Sequence, residues 1–260
     1  MATARQWYRR LVPERARRIV RRLAREVPIR LIDSAPDLRD RLGDGTTALP
    51  PPALRAAVGI DSSRSHYVEV GRGVAEAILH AAPPRGRWLD FGCGSGRVAR
   101  HLGVIDTISL TGVDVDRRAV SWCKQHLRGD FQIIAPDPPL PFADASFDVV
   151  CAVSVFTHLD EAEQLRWLAE LRRVLPAGGT LVASTHAPDL TYNRPDLTAV
   201  HHRQLAMNGF TFIRGSGDFS DESAFHHAAY IRRVWRQFFR SVEHKPHALM
   251  GYQDLVICVA

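Results

Sequence analysis

The chain has 260 residues, 45% of them hydrophobic, with a formal net charge of +6. That length suits one domain of ordinary size plus an extension, and no apolar run reaches the roughly 18 residues that a membrane-spanning helix needs. Ten arginines within residues 1–30, set against Glu14 and Glu26, carry +8, which leaves −2 on the other 230 residues; the basic character belongs to the N-terminal arm, and the core gives no reason to expect a nucleic-acid partner.

Residues 4–26 can form a helix in which Trp7, Leu11, Ile19, Val20 and Leu23 stand among the arginines, with Pro13 breaking it or opening a second helix. A basic amphipathic helix can lie on an anionic membrane; the plainer reading is a solvated helix docked on the domain, at a dimer contact for example. The arm has no apolar stretch of the kind a secretory signal carries. Residues 33–60 are rich in Asp, Gly and Pro and read as a linker or lid. The expected division is an arm and linker over 1–60 and a single domain over 61–260, with 187–250 as an insertion capping the substrate side.

His66–Ala82 has Val70, Val74, Ile78 and Leu79 on one helical face. Trp88-Leu89-Asp90-Phe91 is then a short apolar run carrying one acid, followed by Gly92, Gly94 and Gly96 at every second position and by a helical pattern through Val98, Ala99 and Leu102. A buried strand turning through glycines into a helix is how open α/β sheets bind nucleotide-like cofactors. The spacing is G-x-G-x-G, not the G-x-G-x-x-G of dinucleotide sites. Asp90, two residues before the first glycine, would repel a pyrophosphate and suits a cofactor with a cationic amine. The alternative is a βαβ unit without a ligand.

Ile108–Asp114 reads as a second strand whose terminal Asp114 lies about 20 residues past the glycines, where a carboxylate can accept ribose hydroxyls. Asp116 reads as the N-cap of a helix over Arg117–Leu127. Strands are expected at Phe131–Ile134, Phe147–Val153 and Thr180–His186, with a helix over Asp160–Leu175 closed by Pro176-Ala177-Gly178-Gly179. Beyond residue 190 the rhythm stops, leaving one helix over Phe225–Phe239 and an antiparallel pair, Ser241–His244 with Asp254–Val259. Cys93, Cys123, Cys151 and Cys258 form no CxxC pair or disulfide framework, which fits a reducing cytoplasm.

Asp90-Phe91-Gly92-Cys93-Gly94-Ser95-Gly96 resembles the first motif of the class I S-adenosylmethionine (SAM) methyltransferases. Pro139–Phe142, Ser146-Phe147-Asp148, His158-Leu159 and Leu171–Gly179 resemble further landmarks. Ser154–Leu159 and Gln253-Asp254 resemble a subgroup of small-molecule and saccharide O-methyltransferases. The resemblance implies a Rossmann-like α/β fold, a mostly parallel sheet of about seven strands with helices on both faces and the last strand antiparallel. It implies SAM as methyl donor, held by Asp90, Gly92, Cys93, Gly94, Gly96, Arg97, Asp114, Val115 and Ser154. Tyr67, Gly71 and Arg72 on the first helix could touch it, unless Gly71 only permits close packing. Many relatives carry an acid after the third strand for the adenine amine; that place holds Pro136 here, and the neighbouring Asp137 substitutes.

Methyl transfer from a sulfonium is an in-line displacement in which the protein supplies alignment, and a hydroxyl acceptor benefits from a base. His158 after strand four is the first candidate for general base, the other reading being a helix-start residue ahead of Asp160. His186 at the end of strand five is the second, and otherwise orders the strand end. His201, His202, His226, His227, His244 and His247, with Tyr192, Tyr230 and Trp235, suggest a ring-binding cap for a polar acceptor such as a sugar. No histidine spacing matches a zinc site, and a divalent cation on Asp137, Asp160 or Asp189 has no supporting signature. The rival functions are a carboxyl or N-methyltransferase acting on a peptide or lipid, and a non-catalytic SAM-binding module.

Overall fold

The computed structural model describes residues 48–57, 64–193, 197–215 and 222–260. The basic helix expected over residues 4–26 and most of the 33–60 segment lie outside them. The described chain opens with α1 (Pro52–Ala56), whose Pro52 occupies a first-turn position where a missing N–H leaves nothing unsatisfied. Then come α2 (Arg64–Ala81), β1 (Gly86–Phe91), α3 (Ala99–Leu102), β2 (Ile108–Asp114), α4 (Arg117–His126), β3 (Asp130–Ile133), β4 (Val149–Ala152), α5 (Glu161–Val174) and β5 (Thr180–Thr185). A 3-10 helix (Pro188–Asn193) leads into α6 (Ala199–Asn208), β6 (Phe210–Ile213), β7 (Ser223–His226), α7 (Ala228–Trp235), β8 (Ser241–Leu249) and β9 (Gln253–Val259).

Seven strands form one sheet in the order β3-β2-β1-β4-β5-β9-β8. β1 to β5 run parallel, while β9 lies antiparallel to both β5 and β8. The expected Rossmann-like architecture is therefore present. The parallel strands are nearly all apolar because both faces are covered. Leu89, Phe91, Val150, Ala152, Leu181 and Ala183 face one core layer with Trp167, Leu168 and Leu171 of α5. Trp88, Val149, Cys151 and Val182 alternate to the other, against Val74 and Ile78 of α2 and Ala119 and Val120 of α4.

The helix starts follow the sequence. Asp116 accepts from the backbone N–H of Arg118 (2.8 Å) at the head of α4. Asp160 and Glu163 close a reciprocal capping box at the head of α5.

Two expectations change. Phe225 is not in a helix: Ser223–His226 is a strand paired antiparallel with Phe210–Ile213, and α7 begins only at Ala228. All four residues of β7 are buried, whereas a surface helix would have exposed some of them; the helical spacing proper starts at Tyr230, Ile231, Val234 and Trp235. The segment where the rhythm seemed to stop contains α6 and β6, a helix and strand too short to carry a clear period. The helix behind the glycines, α3, is a single turn ending at Gly103.

Candidate active site

The sheet order reverses at β1, which has β2 on one side and β4 on the other. Ligands of open α/β sheets sit in the crevice beyond the carboxyl ends of the strands at such a point. The glycine turn begins there. Gly92 and Cys93 donate their backbone N–H groups to Val113 O (2.8 and 3.0 Å), tying the turn to the end of β2. Gly92 (φ +74°) and Gly96 (φ +78°) adopt left-handed conformations that disfavour a side chain. Space excludes one as well: a Cβ on Gly92 would fall 2.4 Å from Val155 Cγ2, and one on Gly96 2.2 Å from Leu127 Cδ1.

Asp114 ends β2 and faces this turn. Its Oδ2 accepts from Gly94 N (2.7 Å) and its Oδ1 from Asp116 N (2.8 Å). An ionised carboxylate has about four acceptor positions, so these backbone donors do not exhaust it. Asp90 is 2% exposed; its Oδ1 accepts from the Cys151 thiol (3.6 Å), while its buried Oδ2 has no hydrogen-bond partner. Burial pushes this carboxyl up to about 7. A buried acid with one oxygen unpartnered at the end of β1 is a natural counterpart for an ammonium group. The thiols of Cys93 and Cys123 both donate to Gly94 O (3.7 and 3.5 Å).

Several residues expected at the cofactor prove to support the turn itself. The Tyr67 hydroxyl donates to Ser95 O (2.8 Å), and Ser95 Oγ donates to Leu54 O (3.1 Å), so α1 and α2 are both tied to the glycine turn. Burial pushes the Tyr67 hydroxyl up to about 12. A Cβ on Gly71 would fall 2.2 Å from Arg97 O, so α2 packs directly on the backbone behind Gly96. Val115 is exposed beside Asp114. Asp137 is exposed as well and pairs with Arg166 of α5 (3.0 Å).

The β4–β5 side of the crevice is made of side chains. Ser154 follows β4 with φ +58°, and its N–H donates to Ser184 Oγ (2.7 Å). Ser154 Oγ donates to Gln253 Oε1 (3.2 Å), and Gln253 Nε2 lies 3.3 Å from His186 Nε2. His186 directly follows β5 and forms an isolated parallel bridge with Phe225. His158 sits in the turn between β4 and α5, its Nδ1 3.0 Å from Glu222 O. A carbonyl only accepts, so Nδ1 carries a proton. Sequence reasoning missed Glu222 and Ser184, which carry no local signal, and it met Gln253 only as a landmark.

Part of the expected ring-binding cap is core, while His202, His227 and His247 are exposed. Tyr230, Trp235 and His226 are buried, because β7 and α7 fold back over α5. The His226 Nε2–H donates to Gln164 Oε1 (3.0 Å), burial lowers the ring to about 3, and the Tyr230 hydroxyl donates to Glu161. His244 pairs with buried Asp254 (2.8 Å), and His201 takes part in the cap of α6. The side chain of Tyr192 lies outside the described residues. A groove of about 360 Å³ opens between the 3-10 helix and α6, lined by Pro188, Asp189, Thr191, His202, Leu205, Ala206 and His227.

Among the described residues no three His, Cys, Asp or Glu side chains gather as metal ligands. The aspartates considered for a cation are engaged apart from one another: Asp137 with Arg166, Asp160 in the cap of α5 and with Arg214, Asp189 with His247.

The glycine turn at the reversal point, Asp114 on the next strand and the buried Asp90 lie together where the sequence leads one to expect the cofactor. Residues 89–183 match the family described as "Methyltransferase domain", and over that stretch the chain is similar to the class I SAM-dependent methyltransferases. The chain is 27% identical over 162 residues to a malonyl-[acyl-carrier protein] O-methyltransferase of Methylococcus capsulatus, covering 61% of this chain and 56% of that protein. It is 28% identical over 151 residues to the O-methyltransferase rstn1 of Aspergillus nomiae, covering 55% and 66%. The chain thus spans between half and two thirds of the length of these relatives. Its fold is shared with the PH0226 protein of Pyrococcus horikoshii at a TM-score of 0.56, with 16% identity, 76% of this chain and 92% of that one covered.

Proposed function

We propose that the protein transfers the methyl group of SAM to a hydroxyl oxygen of a small molecule or saccharide. The observation that carries the proposal is the His158 Nδ1 contact with Glu222 O, which presents Nε2 as the basic nitrogen at the carboxyl edge of the sheet. The residues fit the cofactor. Gly92, Cys93, Gly94 and Gly96 offer bare backbone, Asp114 has spare acceptor positions for ribose hydroxyls, and Asp90 Oδ2 suits the cationic amine. When bound, SAM supplies a methyl group already activated on sulfonium. The protein's own part is to hold the acceptor oxygen in line and to accept its proton on His158 Nε2. Val155, packed over Gly92, keeps the cofactor turn and the acceptor side in contact. The groove beside the 3-10 helix falls within the roughly 300–1,000 Å³ typical of small-molecule sites and supports a small acceptor. Residues 187–250 would close the acceptor side, and the arginine-rich arm would meet a membrane surface or a second copy. Four buried free thiols support a reducing cytoplasm.

The test is a set of acceptors screened with labelled SAM by mass spectrometry, alongside calorimetry of SAM binding. SAM binding without turnover on any acceptor leaves the non-catalytic module. The relative named for a malonyl-carrying acyl-carrier protein favours a second reading, transfer to a carboxylate oxygen. A carboxylate needs no base, so turnover would then survive His158→Ala and the pH profile would lack a histidine limb.

A further inference from the structure

The hairpin of β8 and β9 turns back through Met250, Gly251 and Tyr252. His247 (φ +51°), Met250 (φ +55°) and Gly251 (φ +68°) all take left-handed conformations there. Non-glycine residues hold such conformations only where the surroundings fix them. Within the tip, Gly251 N donates to His247 O and Tyr252 N to Leu249 O, each at 3.1 Å. Leu249 is buried in the core layer that contains Val74 and Ile78. Met250 packs on α2, where a Cβ on Gly73 would fall 2.3 Å from its Sδ. The His247 N–H donates to Asp254 (2.8 Å), and its ring lies 3.3 Å from Asp189, which lines the groove beside the 3-10 helix. The tip is therefore fastened to α2, to β9 and to the border of that groove.

Tyr252 is the aromatic residue that this fixed tip leaves in solvent. It is 45% exposed, whereas Phe225, Tyr230 and Trp235 are buried. Its ring meets His186 at the end of β5, with centroids 6.1 Å apart and planes at 76°. In an edge-on pair one ring offers only its edge, so His186 covers at most one face of Tyr252. Its hydroxyl has no hydrogen-bond partner among the described residues. Tyr252 also directly precedes Gln253, whose amide meets Ser154 after β4. The open ring thus stands at the carboxyl edge of the sheet, on the side-chain half of the crevice. An aromatic face takes flat, weakly polar ligand surfaces by stacking, and the phenol adds a polar end.

We propose that Tyr252 determines acceptor specificity, its open face stacking on the flat side of a ring-bearing acceptor, aromatic or pyranose, and so selecting ring hydroxyls over open-chain alcohols. The fate of the bound ring rests on the methyl-transfer reading above; its capture on Tyr252 does not. The role falls to a residue outside the Tyr192, Tyr230 and Trp235 set that composition suggested, because the hairpin turn and not the buried α7 reaches the rim.

The experiment is fluorine NMR of the full chain labelled with 3-fluorotyrosine, with Tyr252 assigned by its loss in Tyr252→Phe. Catechol, methyl β-glucopyranoside and the open-chain polyol threitol are titrated in turn with S-adenosylhomocysteine present. At least one ring probe should move the Tyr252 signal while threitol leaves it in place; catechol alone names an aromatic acceptor and the glucoside alone a sugar. Tyr252→Ala should weaken that probe about tenfold by calorimetry, and Tyr252→Phe, which keeps the ring, by no more than about twofold. Should the alanine protein not fold, Tyr252→Leu, which keeps bulk without a stacking face, takes its place. A signal unmoved by both ring probes overturns the proposal, as do an equal response to threitol, an unchanged affinity in Tyr252→Ala and an equal loss in Tyr252→Phe. With an acceptor that turns over, Tyr252→Ala should raise KM about tenfold and leave kcat and SAM affinity nearly as they are. Absence of turnover in the wild type would sink the methyl-transfer reading and leave the fluorine result standing.

Discussion

The two sides of the sheet's carboxyl edge are made of different material. Beside β1 and β2 the site is backbone, with glycines in left-handed conformations, N–H groups folded onto Val113 O and one carboxylate bonded to the turn. Beside β4, β5 and β9 it is side chains, Ser154, His158, His186 and Gln253, with Ser154 and Gln253 meeting across 99 positions. A backbone site recognises what all its ligands share, and under the proposed function that is the methyl donor. A side-chain site can vary without disturbing the turn, which suits an acceptor that differs from one relative to another.

If the two sides are separable, mutations should separate them. His158→Ala should lower kcat by about 10²–10⁴-fold and leave SAM affinity unchanged by calorimetry; a parallel loss of SAM affinity would break the contrast. Asp114→Ala should weaken SAM binding by roughly 100-fold or more, the loss of charge-assisted hydrogen bonds worth about 3 kcal/mol together. It also frees Gly94 N, and unchanged affinity would remove Asp114 from the cofactor side.

Asp90→Asn sharpens the comparison through pH. The buried carboxyl titrates at about 7 in the folded protein against an ordinary 3.8. The folded state therefore holds the extra proton across that window, and its contribution to stability is lost as pH rises through it. The variant should melt higher than wild type at pH 8 without ligand and should lose that advantage near pH 4. His226 acts in the opposite sense: lowered from 6.5 to about 3, it withdraws stability as pH falls through that range. A melting temperature difference independent of pH would contradict the burial of Asp90. The smallest effect belongs to neither side: Asp160→Ala should lower stability by about 1 kcal/mol in denaturant melts, since it removes the cap of α5 and a long, exposed contact with Arg214 that contributes little.

The legible part of the fold was the part with long periods and punctuation. Asp116 and Asp160 announced their helices because a cap is a local hydrogen bond. β7 was mistaken for the start of a helix because four buried residues beside a true helical pattern have no period of their own. Tyr230 and Trp235 read as a cap because aromatic composition says nothing about which way a helix faces; packing on the core decided it.

The sequence by itself determined the fold class and the local geometry of the glycine turn. Asp90, the glycine spacing and Asp114 act through backbone conformation and charge within about 25 residues of chain, where order along the chain is nearly order in space. Only the tertiary structure decided the acceptor half. It paired Gln253 with His186, set Glu222 against His158, and buried His226 on Gln164, because those contacts depend on how β9 and the β6–β7 hairpin return to the sheet.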